Sequence, residues 1–235
     1  MNNQNKQLKS HNSENNRLPD YTRSEERFNM ITHIVGGGLG VLALIACVIV
    51  AALYRNVWGV VGGAIYGFTV VLLFTMSSIY HGLKIGKPKR VFQTLDHCSI
   101  YILIAGTYTP VVLSFFREVY PVDAWVMFGL IWGFALIGTT LTAINRKRFM
   151  PFALVCYLGM GWMVVFNIRR MIEVLGGPFF VILLIGGVLY TVGVIFYAIG
   201  GRKKFMHSVF HLFVNAASIL HSVAIAVYIM PVHPA

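Results

Sequence analysis

The sequence predicts an all-α integral membrane protein, a bundle of seven transmembrane helices. Of its 235 residues, 57% are hydrophobic and only 11% are charged, whereas soluble domains average about a quarter charged residues. The apolar residues form long continuous runs, and about 20 apolar residues are enough for a helix to cross a bilayer. Because the runs do not alternate apolar with polar residues, helices are favoured over the strands of a membrane barrel.

Seven runs are long enough to span the membrane, and the connections between them are short. They leave room for one domain, over residues 25–235, preceded by a polar tail over residues 1–24. The tail is rich in Asn and too polar to bury a core of its own, so it is expected to be disordered. The predicted spans are 31–54, 57–82, 97–116, 124–144, 150–168, 178–200 and 205–230.

The lysines and arginines lie between the apolar runs and predict the orientation. A net charge of +11 would suggest nucleic acid as a partner of a soluble protein, but no nucleic-acid partner is expected here. With seven spans, 15 of the 19 basic residues fall on the side of the N-terminal tail. Since cytoplasmic loops hold the excess of Lys and Arg, we expect a cytoplasmic N-terminus, an outside C-terminus and a multi-pass location in the cell (plasma) membrane.

Ionisable residues gather at the cytoplasmic ends of the predicted spans. His81 ends the second span, Asp96 opens the third, and His207 and His211 open the seventh. His207 and His211 are four residues apart and share a helix face. Three histidines and a water match the ligand set of a catalytic zinc, and Asp96 is the candidate carboxylate to hold that water or orient a histidine. The competing interpretation is that each histidine is only a polar group at headgroup level.

Further polar residues are expected to line the same region. Glu26, Asn29 and His33 fall on one face at the start of the first span, and Ser77 lies one turn before the histidine that ends the second. His97 is a poorer ligand candidate because it points about 100° away from its neighbour Asp96 on a helix. The H-E-x-x-H signature of metalloproteases is absent.

The last predicted span has a polar stripe along one face. It begins at His207 and runs ~21 Å inward to His221 at 1.5 Å per residue. His221 is therefore too deep to share an ion with the histidines of the first turn. The stripe has two interpretations: hydrogen bonding between helices, or the polar wall of a cavity that leads from the ion toward mid-bilayer. Its other members are Asn215, Ser218 and Ser222.

Four stretches of the sequence resemble the hemolysin III branch of the progestin and adipoQ receptor (PAQR) membrane proteins. With the seven spans, they cover most of the chain from about residue 25. The resemblance implies a seven-helix bundle with an intracellular N-terminus and a zinc ion near the cytoplasmic face. The stretches are EERFNMITHIVGG (25–37), SSIYH (77–81), LDHCSIYILIAGTYTP (95–110) and HSVFHLFVNAASILH (207–221).

The same resemblance implies roles for individual residues. His81, His207 and His211 would hold the zinc ion, Asp96 would hold the zinc-bound water, and Ser77 would lie near the site. The family is linked to metal-dependent hydrolysis of lipid amides, chiefly ceramide, in its eukaryotic receptors. Its bacterial members are named hemolysins and membrane-homeostasis proteins, and the short polar tail is similar to that branch.

The sequence therefore predicts a zinc-dependent hydrolase that acts on lipid amides or esters at the cytoplasmic face, with Asp96 and Ser77 as catalytic residues and membrane lipids as partners. The alternative is a non-enzymatic protein with structural zinc, either cytolytic or active in membrane homeostasis. A ligand receptor ranks last, because the short outer loops leave little room for a protein ligand.

Overall fold

The computed structural model describes residues 18–19, 21–200 and 203–231. Within these ranges the chain is helical and contains no strand, which confirms the all-α prediction for the described residues. Most of the tail predicted over residues 1–24 lies outside them. Its last two residues belong to the first helix.

The helices are labelled here in chain order. They are α1 (Arg23–Leu53), α2 (Val57–Gly82), α3 (Lys87–Val111), α4 (Pro121–Gly161), α5 (Ile168–Leu175), α6 (Gly177–Gly200) and α7 (Met206–Ala224). Three irregular turns adjoin them. They are the π-helical turns Val112–Phe116 and Ile225–Ile229, which continue α3 and α7, and the 3-10 turn Met163–Asn167 between α4 and α5. One short α-helical turn, Arg117–Val119, follows the first π-helical turn.

Two helices begin well before the apolar runs that predict them. α1 begins at residue 23 rather than 31, because Thr22 and Glu25 form a capping box at its N-terminus. In that box the Thr22 backbone N–H donates to Glu25 Oε2 at 2.9 Å. α3 begins at residue 87 rather than 97, with Pro88 in its first turn, where a missing N–H costs nothing. Apolar runs thus mark the bilayer crossing but not the helix ends, which have polar residues.

The longest apolar helical run contains a break. The described residues hold six helices long and apolar enough to cross a membrane, and one of them is the 55-residue run Pro121–Leu175. A straight helix of that length would measure ~80 Å, against ~30 Å for the hydrocarbon core. Asn145 interrupts it with φ −155° and ψ 84°, and its side-chain oxygen accepts a bond from the Arg148 N–H at 3.0 Å. The predicted spans 124–144 and 150–168 lie on either side of this break.

The chain reverses direction at the break. The half of α4 before it meets first the C-terminal end of α3 and then the N-terminal end, whereas the half after it meets these ends in the opposite order. The two halves therefore run antiparallel beside α3. The hydrogen bonds are Trp132 to Thr109 (3.1 Å) and Cys98 to Thr139 (3.6 Å) before the break, and Tyr157 to the His97 carbonyl (2.8 Å) and Tyr108 to the Gly161 carbonyl (2.8 Å) after it.

Small residues bring the helices together, and large apolar residues cover the outside. A Cβ at Gly138 would collide with the buried ring of Tyr101 on α3, and one at Gly62 on α2 would meet the backbone of Pro110. Close approach at glycines is typical of helix packing in membranes, where burial of apolar surface gives little driving force. The outer faces of α1, α4 and α6 expose Leu, Ile, Val and Phe along their length, as a lipid-facing surface does.

Candidate metal centre

Three buried histidines meet between the C-terminal end of α2 and the first turns of α7. One ligand nitrogen from each of His81, His207 and His211 lies within 4.8 Å of the other two. The Nε2 atoms of His207 and His211 are 3.0 Å apart. The helical spacing of four residues places this pair on one face of α7, and the last turn of α2 places His81 opposite it. We call these three residues the histidine cluster.

The donor geometry of the cluster fits a metal ion. In a tetrahedral site with metal–nitrogen bonds of ~2.0–2.1 Å, two ligand nitrogens lie roughly 3.3–3.4 Å apart, close to the separation in the His207–His211 pair. His81 Nε2 is buried and has no hydrogen-bonding partner among the described residues, an arrangement that is costly unless something binds the nitrogen. The cluster could therefore hold a metal ion, and imidazole donors suit zinc and other transition metals.

A carboxylate from α1 orients His81. The Nδ1 atom of His81 lies 2.6 Å from Glu26 Oε2, so the ring donates its Nδ1–H to the carboxylate. Its Nε2 is then left with a free lone pair on the side of the cluster. The sequence predicts Glu26 only as a residue that lines the site. Glu26 can reach His81 because α1 begins before the apolar run, and Glu26 lies in the polar turns at its N-terminal end.

Asn29 and His33, also on α1, lie against the cluster. The ring centroid of His33 is 3.9 Å from that of His211 and 5.1 Å from that of Phe74. Both polar atoms of the Asn29 amide and both nitrogens of His33 are buried without a partner in the part of the chain described. Buried polar atoms of this kind normally bind water or a ligand. The sequence predicts that both residues line the site, and that role stays a prediction.

Asp96 and Ser77 lie beside the cluster rather than within it. Ser77 on α2 hydrogen-bonds to the Asp96 carboxylate on α3, and both side chains line the cavity that reaches His207 and His211. Arg146, the first residue after the break in α4, also lines the cavity and is close enough to interact electrostatically with Asp96. The sequence does not predict Arg146 at the site, because its position depends on the non-helical backbone of Asn145, which reverses the chain beside the cavity.

His97 is fully used by other contacts. Its Nδ1–H donates to the Gln93 carbonyl at 2.7 Å, and its Nε2 lies 3.1 Å from the Tyr197 hydroxyl, which donates to it. Neither nitrogen is left for a metal ion. The prediction that this residue is a poorer ligand than the clustered histidines agrees with these contacts.

An apolar cavity of about 390 Å³ extends from the cluster into the bundle. This volume is in the range of small-molecule sites. Polar residues line its end near the cluster, and aliphatic side chains of α3, α5 and α6 line much of the rest. Those side chains include Leu103, Ile104, Val111, Met171, Leu183 and Leu184.

Tyr21, just before α1, covers the cluster on the side of the N-terminal segment. Its ring stacks on that of His207, with centroids 4.8 Å apart and planes inclined by 21°. Burial raises the pKa of the Tyr21 phenol, so it stays protonated at neutral pH. The sequence assigned this residue to the tail and gave no sign of its contact with the site.

The polar stripe of α7 both lines the cavity and forms hydrogen bonds between helices, so each of its two interpretations has contacts in its favour. His221 lines the cavity and donates a ring N–H to the Leu183 carbonyl at 3.1 Å. The other members bond within the helix or to neighbouring helices, which satisfies polar groups in an apolar interior. These bonds join Ser218 to Tyr190 (2.7 Å), Ser222 to Tyr66 (2.8 Å) and Asn215 to the His211 carbonyl (2.9 Å).

Comparison with known proteins agrees with the motifs. The profile of the family described as Haemolysin-III related matches residues 21–222, which include every residue of the cluster. The chain belongs to the haemolysin-III-related family. This haemolysin-III-related chain is 36% identical to Hemolysin-3 of Bacillus cereus over 207 residues, which cover 88% of this chain and 93% of that protein.

A mammalian relative also matches this haemolysin-III-related chain. The human monocyte to macrophage differentiation factor is 28% identical over 212 residues, covering 87% of this chain and 84% of the human protein. No solved structure matches the chain. The resemblance to the hemolysin III branch of the PAQR proteins is thus confirmed.

The cluster predicts that the protein binds one divalent transition-metal ion through these histidines. Replacement of His81, His207 or His211 by Ala should lower zinc affinity at least ~100-fold, because each removes one of three protein ligands. Zinc affinity is measured by competition with a chromophoric chelator, on purified protein stripped of metal and then reloaded.

The matched control is His221→Gln. It removes an imidazole from the same helix but keeps an N–H to donate to the Leu183 carbonyl, so its affinity should equal that of the wild type. An unchanged affinity in His211→Ala would contradict the assignment of the cluster.

Proposed function

We propose that this haemolysin-III-related protein is a membrane-embedded, zinc-dependent hydrolase of lipid amides or esters. The observation that supports it is the position of the histidine cluster, with Asp96 and Ser77, at the polar end of an apolar cavity. A lipid acyl chain in the cavity would bring its carbonyl group beside the cluster. The headgroup would then lie toward Tyr21, at the end of the cavity near the N-terminal segment.

The residues around the cluster suit the steps of hydrolysis, in which water adds across an acyl C–N or C–O bond. Zinc held by the three histidines would polarise the carbonyl group and lower the pKa of water to about 7. Asp96 would accept the proton of the attacking water and pass it to the departing amine or alcohol. Ser77 or His33 would donate to the carbonyl oxygen as it becomes negative. Both nitrogens of His33 are without partners in the described chain.

This function predicts a specific loss of turnover. Purified protein in lipid nanodiscs should release fatty acid from ceramide or from an acyl ester, measured by mass spectrometry. His207→Ala should abolish release, and Asp96→Asn should reduce it ~100-fold or more, the usual contribution of a general acid–base.

Asp123→Asn is the control for turnover. It changes a carboxylate paired with Arg170 at the start of α4, away from the cluster, and should leave turnover unchanged. Equal turnover in wild type and His207→Ala would exclude the proposed hydrolase.

We also propose that the chain crosses the plasma membrane seven times, with its N-terminus in the cytoplasm. The antiparallel halves of α4 support two crossings in place of one, and the distribution of Lys and Arg supports the orientation. A membrane-impermeant maleimide should then label Glu118→Cys in intact cells, and label Arg148→Cys only after permeabilisation. Labelling of Arg148→Cys in intact cells would contradict this topology.

A second candidate is a non-enzymatic protein that lyses or regulates membranes and uses a metal only for structure. The observation in its favour is the name Hemolysin-3 of the Bacillus cereus relative. Release of a trapped dye from liposomes distinguishes the two. Release that is the same in wild type and His207→Ala, together with no lipid turnover, would favour this candidate over the hydrolase.

A further inference from the structure

An ion pair between a buried lysine and a half-buried glutamate lies next to the histidine cluster, and the sequence did not predict it. Lys89 on α3 and Glu26 on α1 form a salt bridge with Lys89 Nζ 2.9 Å from Glu26 Oε1. The Lys89 side chain is 3% exposed and the Glu26 side chain 19%. A charge removed from water in this way is costly unless it is paired and hydrogen-bonded. The hydrogen-bonding partners of Glu26 and Lys89 therefore indicate the role of the pair.

The two oxygens of Glu26 have different partners. Oε1 receives Lys89, and Oε2 receives the Nδ1–H of His81 at 2.6 Å. The His81 side chain is 0% exposed, and its Nε2 has no partner within the described chain. The carboxylate thus holds the imidazole in the tautomer that has its proton on Nδ1. That tautomer is the one in which Nε2 can bind a metal ion.

Lys89 also fixes the backbone on which His81 stands. Its Nζ donates to the Tyr80 carbonyl at 2.8 Å and to the Leu83 carbonyl at 3.0 Å. Tyr80 lies in the last turn of α2 and Leu83 is the residue that follows the helix, where a helix end leaves backbone oxygens unpaired. With the bond to Glu26, all three ammonium protons are used. One cation therefore secures both the helix end and the carboxylate that orients the ring.

We propose that Lys89 and Glu26 are positioning residues for the metal site, which fix the tautomer and the orientation of His81. Three helices contribute to this chain of contacts, α3 through Lys89, α1 through Glu26 and α2 through His81. A partner beyond the ligand of this kind commonly changes metal affinity by 10–100-fold. The proposal rests on metal binding by the cluster, which is part of the proposed function, but not on hydrolysis.

The test measures zinc affinity in variants of the pair. Glu26→Gln alone and the double variant Glu26→Gln/Lys89→Met should each lower zinc affinity about 10- to 100-fold. The double variant replaces both charges with neutral groups of similar size, which buried ion pairs often tolerate, so it guards against misfolding from a lone buried lysine. The control is the double variant Asp123→Asn/Arg170→Met, which removes the ion pair at the start of α4 and should bind zinc as the wild type does.

A second measurement separates positioning from a general structural role. Affinities are measured well below the unfolding temperature of each metal-free variant. A pair that only stabilised the fold would lower that temperature and leave the affinity of the folded protein unchanged. The ¹⁵N chemical shifts of His81 in metal-free protein should show the proton on Nδ1 in the wild type, and a loss of this preference in Glu26→Ala.

The outcomes distinguish this proposal from the hydrolase. Unchanged zinc affinity in both pair variants, or a His81 proton on Nε2 in the wild type, would overturn the positioning role alone. Reduced affinity in a protein that hydrolyses no lipid would support the positioning role and exclude the enzyme. Failure of the wild type to bind any metal would overturn both.

Discussion

The end of this bundle that holds the histidine cluster is organised by the need to satisfy polar groups where little water reaches them. A buried carboxylate, ammonium or imidazole must find a partner or bind something from outside the protein. Glu26 and Lys89 form an ion pair, and Lys89 also donates to a carbonyl at the end of α2. Both nitrogens of His97 are hydrogen-bonded. The histidine cluster differs, because His81 Nε2 lacks a partner in the described chain. A metal ion would complete this set.

The cavity is the second consequence of the same arrangement. The break at Asn145 turns α4 back along α3. Residues of α3, of α4 after the break and of α5, α6 and α7 then line an apolar cavity that reaches His207 and His211. An apolar cavity with polar groups at one end suits an amphipathic molecule, with its chain in the cavity and its polar group near the ion. This relation between cavity and cluster is the reason for proposing a lipid substrate and not a water-soluble one.

The sequence predicted a helical membrane protein and the three histidines that meet, because both depend on local patterns. Continuous apolar runs indicate membrane helices, and a spacing of four residues places His207 and His211 on one face. His81 lies on a different helix, and the sequence places it with this pair because it falls at the same end of its predicted span. The family resemblance implies the same three ligands.

The sequence did not predict the contacts that depend on where polar helix ends lie. α1 and α3 begin eight to ten residues before their apolar runs, and those extra turns bring Glu26 and Lys89 to the site. Tyr21 reaches His207 from a segment whose composition suggests only a tail. Hydropathy contains no information on these positions, because they result from caps and from packing between helices far apart in the chain.

Every role inferred for the residues around the histidine cluster depends on the binding of one metal ion there. X-ray absorption at the zinc K-edge of purified, zinc-loaded protein measures the ligands of that ion. We expect nitrogen and oxygen neighbours at ~2.0–2.1 Å and multiple scattering from three imidazole rings, both lost in the triple variant of His81, His207 and His211 to Ala. Sulfur neighbours at ~2.3 Å, or a spectrum unchanged in the triple variant, would contradict it.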